Sequence, residues 1–132
     1  MDVEYTWRGE FTSDEADRLH AEGFGYDPVG HDWRAQVERH SLGWVCARAG
    51  GRLVGFVNVI WDGSAHAFLL DTVAAADLRR QGVGARLVEV AVERSRAAGC
   101  EWLHVDFEEH LDGFYFAACG FTPTRAGLIR LA

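Results

Sequence analysis

The sequence predicts a mixed α/β domain, with one central β-sheet flanked by helices and all 132 residues in a single unit. Three observations carry that reading. Three β-rich runs, 44–48, 52–61 and 65–74, follow one another with only short gaps. A strongly amphipathic helical pattern begins near Val83 and leads into a strand-like alternation from Glu101 to Phe107. A second helical pattern and a last β-rich run close the chain. Strands, then strand-helix-strand, then helix-strand is the order of a mixed sheet. The unit from 65 to 107 predicts a right-handed crossover between parallel neighbours.

The elements follow in order. Glu4 to Phe11 reads as a first strand. Ser13-Asp14-Glu15 starts a helix, with Ser13 as the cap and acidic residues in the first turn, ending near Gly23 or Gly25. Pro28 and Gly30 break the chain before a second short helix, His31 to His40. Ala49-Gly50-Gly51 joins two runs as a hairpin turn, and Ala65 to Ala74 is expected to pair with them. In the next helix Val83, Leu87, Val90 and Ala91 recur at helical spacing while Glu89, Glu93 and Arg96 face away, and Gly99 stops it. Leu103, Val105 and Phe107 share one face of the following strand, with Trp102, His104 and Asp106 on the other. Leu111, Phe114, Tyr115 and Ala118 are again helically spaced before Gly120, and Thr124 to Leu131 is read as a final strand.

The most informative stretch is Arg79-Arg80-Gln81-Gly82-Val83-Gly84-Ala85-Arg86. It is a basic, glycine-punctuated loop running into the amphipathic helix, so unpaired backbone N–H groups and a helix N-terminus face outward where an anion can sit. Gly82 and Gly84 lack a Cβ and allow close approach to the backbone. The implied ligand carries a phosphate or pyrophosphate. It is not a nucleoside triphosphate held by a Gly-Lys-Ser/Thr loop, because the chain contains no Lys. Nor does the loop have the three glycines of a dinucleotide fingerprint.

Together with Phe68-Leu69-Leu70-Asp71-Thr72-Val73-Ala74 upstream and Phe114-Tyr115-Phe116-Ala117-Ala118-Cys119-Gly120-Phe121 downstream, the loop resembles the GCN5-related N-acetyltransferase (GNAT) family. Arg79, Gly82 and Gly84 fill the three fixed positions of that family's [Q/R]-x-x-G-x-[G/A] signature, and 114–121 matches its F-Y-x-x-x-G-F segment. One departure is Glu108, where the family often has Asn. The resemblance implies a single N-acetyltransferase domain over 1–132 that moves acetyl from acetyl-CoA to a primary amine by direct attack in a ternary complex, without a metal. It further implies that Val73, Ala74, Arg79, Arg80, Gln81, Gly82, Val83, Gly84 and Ala85 bind the cofactor, and that Tyr115 protonates the leaving thiolate. A phenol with an ordinary pKa near 10 is protonated at neutral pH and suits that task.

For the base, Asp71 lies two residues before Val73 on the same strand, and Glu109 lies just past the end of the adjacent one. Asp106, Glu108, Glu109 and Asp112 form an acidic turn expected to attract a cationic acceptor, a small-molecule or peptide amine. Two other readings are a CoA-binding sensor or scaffold, and a toxin of the same fold that acetylates aminoacyl-tRNA. A net charge of −7 speaks against nucleic acid as a partner.

No segment has the apolar length to span a membrane, and Met1-Asp2-Val3-Glu4 lacks the features of a signal peptide. Cys46, Cys100 and Cys119 are odd in number and without metal-like spacing, and read as reduced, buried residues of a cytoplasmic protein. His31, His40 and His66 are isolated and form no metal constellation. Trp33, Trp44, Trp61 and Trp102 are expected in the core or an interface, and the family resemblance allows a homodimer.

Overall fold

The computed structural model describes residues 2–132; Met1 lies outside them. Its elements run β1 (Glu4–Trp7), α1 (Ser13–Phe24), α2 (Trp33–His40), β2 (Ser41–Ala49), β3 (Arg52–Trp61), β4 (His66–Ala74), α3 (Val83–Ala97) and β5 (Trp102–His104). Short 3-10 turns occupy Ala76–Leu78 and Glu109–Leu111, and a π-helical turn occupies Gly113–Ala118. The five strands form one sheet in sequence order, antiparallel from β1 to β4 and parallel between β4 and β5. Val45, Val57, Val59 and Ala67 in the strands and Leu87 and Ala91 in α3 are fully buried, and helices cover both faces.

Local chemistry explains the boundaries. Thr12, not Ser13, caps α1: its hydroxyl accepts from the Glu15 N–H and the Glu15 carboxylate accepts from the Thr12 N–H, a reciprocal capping box. Ser13 is instead the first helical residue, and its hydroxyl donates to Asp32 and accepts from the Arg34 N–H, joining the starts of α1 and α2. Gly25, in the left-handed conformation at φ 77°, ends α1. Asp32 caps α2 through the Ala35 N–H, so that helix starts at Trp33 rather than His31.

Several strands differ in extent from the sequence reading. β1 stops at Trp7 because Arg8 turns to φ 56°. β2 begins at Ser41, directly after α2. β5 is confined to 102–104, and residues 105–107 continue without sheet pairing. Thr124–Leu131 forms no strand; Leu128, Ile129 and Leu131 are exposed. A strand needs a neighbouring edge, and the three residues of β5 offer too little of one.

Of the cysteines, only Cys46 is buried; Cys100 and Cys119 are partly exposed and all three are free thiols. Trp33 and Trp44 are buried, whereas Trp61 and Trp102 reach the surface. No helix among the described residues is long and apolar enough to cross a membrane.

Candidate active site

The site begins where the sheet splits. β5 pairs with β4 only at His66–Phe68, so from Leu69 to Ala74 that edge of β4 has no ladder partner. Its main-chain groups there are open to a ligand. A cleft of about 440 Å³ opens in the gap. Thr72, Val73 and Ala74 form one wall, the loop from Arg79 and the first turn of α3 a second, and Leu111, Phe114, Tyr115 and Ala118 a third.

The loop and helix start have the form of an anion site. Gly82 is the N-cap of α3 at φ 80° and provides no side-chain cap. The first helical hydrogen bond is from the Arg86 N–H to the Gly82 carbonyl at 3.0 Å, so the N–H groups of Val83, Gly84 and Ala85 precede any intrahelical partner. Arg79, Arg80, Val83, Gly84 and Ala85 all line the cleft with Gly82; Gln81 does not. Arg86 turns away to Glu89 at 2.5 Å. A Cβ on Gly82 would touch nothing within 4 Å, so its glycine answers the left-handed backbone. A Cβ on Gly84 would come within 3.1 Å of the Phe114 ring, so that glycine also lets α3 close against the third wall.

Tyr115 is the buried polar group of the cleft, 7% exposed. It stands on the π-helical turn, where the Cys119 N–H bonds back to the Phe114 carbonyl five residues earlier. Its ring stacks on Phe107 at 4.4 Å and meets Phe114 edge-on at 4.8 Å. Burial pushes its pKa up, with Cys119 and Asp106 adding and a hydrogen bond to Thr72 opposing. The phenol therefore keeps its proton at neutral pH. Cys119 nearby is also pushed up by burial, which leaves it a poor nucleophile.

Asp71 sits on a bulge. The register pairs Leu70 with Asn58 and Val73 with Phe56, so Asp71 and Thr72 together oppose the single residue Val57. Asp71 takes φ 60°, a left-handed value that Asp tolerates better than most residues. Its carboxylate meets His20 of α1 at 3.0 Å, a contact the sequence reading missed. Gly23, one turn along α1, lies on Val73: a Cβ there would be 2.2 Å from the Val73 Cγ2. Glu109 is exposed in its 3-10 turn, and the neighbouring Glu108 faces His110 at 3.5 Å with both side chains largely open to solvent. Tyr115 and Thr72 are thus brought to one cleft, and Asp71 to α1, while Glu109 stays on the surface. No group of three metal-binding side chains occurs among the described residues.

Residues 5–121 match the family model described as Acetyltransferase (GNAT) family. No curated protein matches the chain. Among solved structures, a probable acetyltransferase of unknown function from meticillin-resistant Staphylococcus aureus superimposes with a TM-score of 0.82 at 20% identity, covering 99% of each chain. A GNAT family acetyltransferase from Streptococcus pneumoniae gives a TM-score of 0.80 at 21% identity, over 99% of this chain and 98% of that one. The aminoglycoside acetyltransferase AAC(6')-Iy, in complex with the bisubstrate analog CoA-S-monomethyl-acetylneamine, gives 0.79 at 16% identity, over 100% and 99%. The likeness to all three covers the whole fold, and the mixed central sheet flanked by helices is the class the sequence predicts.

Proposed function

The chain belongs to the acetyltransferase (GNAT) family, and on that premise we propose that it transfers acetyl from acetyl-CoA to a primary amine by direct attack in a ternary complex. The observation that carries this reading is the buried, protonated Tyr115 on a cleft whose other walls are an unpaired strand edge and an uncapped helix start. The N–H groups of Val83, Gly84 and Ala85, with Arg79 and Arg80, suit the pyrophosphate. The open edge of β4 at Thr72–Ala74 suits the amide-bearing pantetheine arm and the thioester carbonyl.

In this reading the neutral amine attacks the carbonyl, the C–S bond breaks, and Tyr115 gives its proton to the departing sulfur. The acceptor is a small-molecule or peptide amine; AAC(6')-Iy, whose bisubstrate analog is built on acetylneamine, is a precedent of the small-molecule kind. Three free cysteines with no disulfide between them are in keeping with a cytoplasmic setting.

An acetyl-CoA turnover screen against a panel of amines tests the proposal, with Tyr115→Phe as its internal control. The variant keeps the ring and its stacking on Phe107 and loses only the hydroxyl. We expect kcat to fall by roughly 10²-fold, with acetyl-CoA affinity within about twofold of the parent. A parent that binds acetyl-CoA but acetylates no amine refutes the activity. A variant within about threefold of the parent in kcat refutes the role of Tyr115.

A further inference from the structure

Two parts of the described fold are left without a strand partner, and they match one another. The first is the outer edge of the sheet. β5 stands last in the strand order and pairs with β4 alone, so the side of Trp102–His104 away from β4 carries no ladder. Residues 105–107 continue the same alternation unpaired. Leu103, Val105 and Phe107 are half-buried and pack against the core, whereas Trp102, His104 and Asp106 are exposed. An open edge of this kind is a template for another strand.

The second is the segment 122–132. All of it is exposed, and none of it lies in a helix or strand. No residue in it takes a positive φ, so it contains no left-handed turn. Its root is fixed, because the Phe121 N–H bonds to the Tyr115 carbonyl at 3.0 Å. Pro123 then favours an extended backbone at Thr122. Farther along, Leu128, Ile129 and Leu131 are 81%, 86% and 94% exposed. Large apolar side chains clustered in water mark an interaction surface.

Arm and edge agree in pattern and in charge. In an extended arm Ile129 and Leu131 share one face, and Leu128 and Arg130 the other. The edge reads the same way: Leu103, Val105 and Phe107 make an apolar face, and Trp102 and Asp106 stand on a mixed one. Arg125 and Arg130 are the charged side chains of the arm, and it has no acidic one. The edge, by contrast, runs into the acidic turn of Asp106, Glu108, Glu109 and Asp112. Two copies with a net charge of −7 repel one another, and the basic arm is the stretch whose sign lets it approach the acidic edge. The arm also starts beside that edge: Tyr115 stacks on Phe107 at 4.4 Å, and Phe121 meets Tyr115 edge-on at 5.9 Å. When two such edges face each other across a two-fold axis, each arm starts beside the other copy's edge, and both add in one association.

We propose that the chain forms a two-fold dimer by reciprocal arm exchange, in which residues 124–131 of each copy add as a strand to the outer edge of 102–107 of the other. Main-chain hydrogen bonds supply the hold, and the alternating side chains supply the register. The added strand extends the ladder of β5 to Phe107, whose ring backs Tyr115. The exchange itself stands apart from the acetyl-transfer reading; its effect on Tyr115 rests on that reading.

Analytical ultracentrifugation of the whole chain gives the stoichiometry, and amide hydrogen exchange read by mass spectrometry locates the contact. The parent is compared with the double variant Ile129→Asp and Leu131→Asp, both at exposed positions that the fold of one copy does not use. We expect a dimeric parent whose amides at 103–107 and 124–131 exchange roughly 10²-fold more slowly than in an unstructured chain. The double variant should be monomeric, with protection lost from both stretches together. Arg125→Glu with Arg130→Glu should weaken the dimer by roughly tenfold in Kd. A monomeric parent overturns the exchange, whether its arm is free or folded onto its own edge. A dimer whose 124–131 amides exchange freely, or a double variant that stays dimeric, puts the contact on another face and overturns it too. An unchanged Kd in the charge-reversed arm refutes the charge match. With the amine found in the screen, kcat of the monomeric variant should fall by at least about threefold; an equal kcat refutes the link to Tyr115. A parent that acetylates no amine overturns the enzymatic reading, while the sedimentation and amide exchange still decide the dimer.

Discussion

Replacing Glu15 by Gln separates a charge from the hydrogen bonds around it. One Glu15 carboxylate oxygen accepts the Thr12 N–H at 2.9 Å, and the two oxygens take the Arg48 guanidinium at 2.9 and 2.8 Å. Gln keeps the shape and the acceptor for Thr12 but loses the paired carboxylate. Arg48 retains the Gly51 and Glu10 carbonyls, so it is not left without partners.

The Arg48 guanidinium, more than the Thr12 cap, holds the Glu15 pKa at about 2 rather than 4.5. A folded pKa below the unfolded one stabilises the protein above the unfolded value, and that stability is lost as the pH falls from about 4.5 towards 2. The gap sets a ceiling of about 3.4 kcal/mol at roughly 1.36 kcal/mol per pKa unit. Both side chains are open to solvent by about a third, 28% for Arg48 and 33% for Glu15, so screening brings the expectation down to about 1–2 kcal/mol. In a chain of this size that is a fall in Tm of roughly 3–10 °C at pH 7.

Urea unfolding of parent and Glu15→Gln at pH 7, 5, 4 and 3 reads the effect directly. The difference between the two should be nearly full at pH 7 and 5, shrink at pH 4 and fall to roughly half or less of its pH 7 value at pH 3. A variant as stable as the parent at pH 7, or a difference that persists unchanged to pH 3, refutes the assignment of this stability to the Glu15 charge.

Three further outcomes are expected. Gly23→Ala gains about 1 kcal/mol of helix propensity but drives a methyl to 2.2 Å from Val73, an overpacking that costs about 1–3 kcal/mol; acetyl-CoA affinity should drop, and an unchanged Kd with a higher Tm would contradict the packing. Gly82→Val and Gly84→Val should both abolish acetyl-CoA binding in calorimetry, the first by straining a φ of 80° beside the anion site and the second by displacing Phe114; unchanged binding in either removes that glycine from the cofactor site. The double substitution Glu108→Gln and Glu109→Gln should raise KM for a cationic amine by no more than about fivefold, less at high salt, and leave KM for acetyl-CoA alone; equal treatment of cationic and neutral amines would reduce the acidic turn to a solvated surface.

The features legible in the sequence are those set by residues close together in it. Val83, Leu87, Val90 and Ala91 announce α3 because a helix buries one stripe, and all four are buried there. Ala49-Gly50-Gly51 announces a turn because both glycines adopt positive φ. Arg79 to Ala85 locates an uncapped helix start because capping is decided within four residues. The fold class followed from the order of such local patterns.

What only the tertiary structure decided depends on neighbours remote in sequence. The 124–131 run has strand-like residues and no strand, since a strand needs an edge. Residues 105–107 alternate without pairing, since β5 leaves β4 after three residues and opens the cleft. His20 shows no partner in the linear chain, because Asp71 lies 51 residues away. Asp71 itself reaches α1 only through one extra residue in β4 and a backbone angle that no periodicity encodes. Helix stripes and turns are written in short-range sterics, whereas the meeting of Tyr26, His20 and Asp71 exists only once α1 packs on the bulged strand.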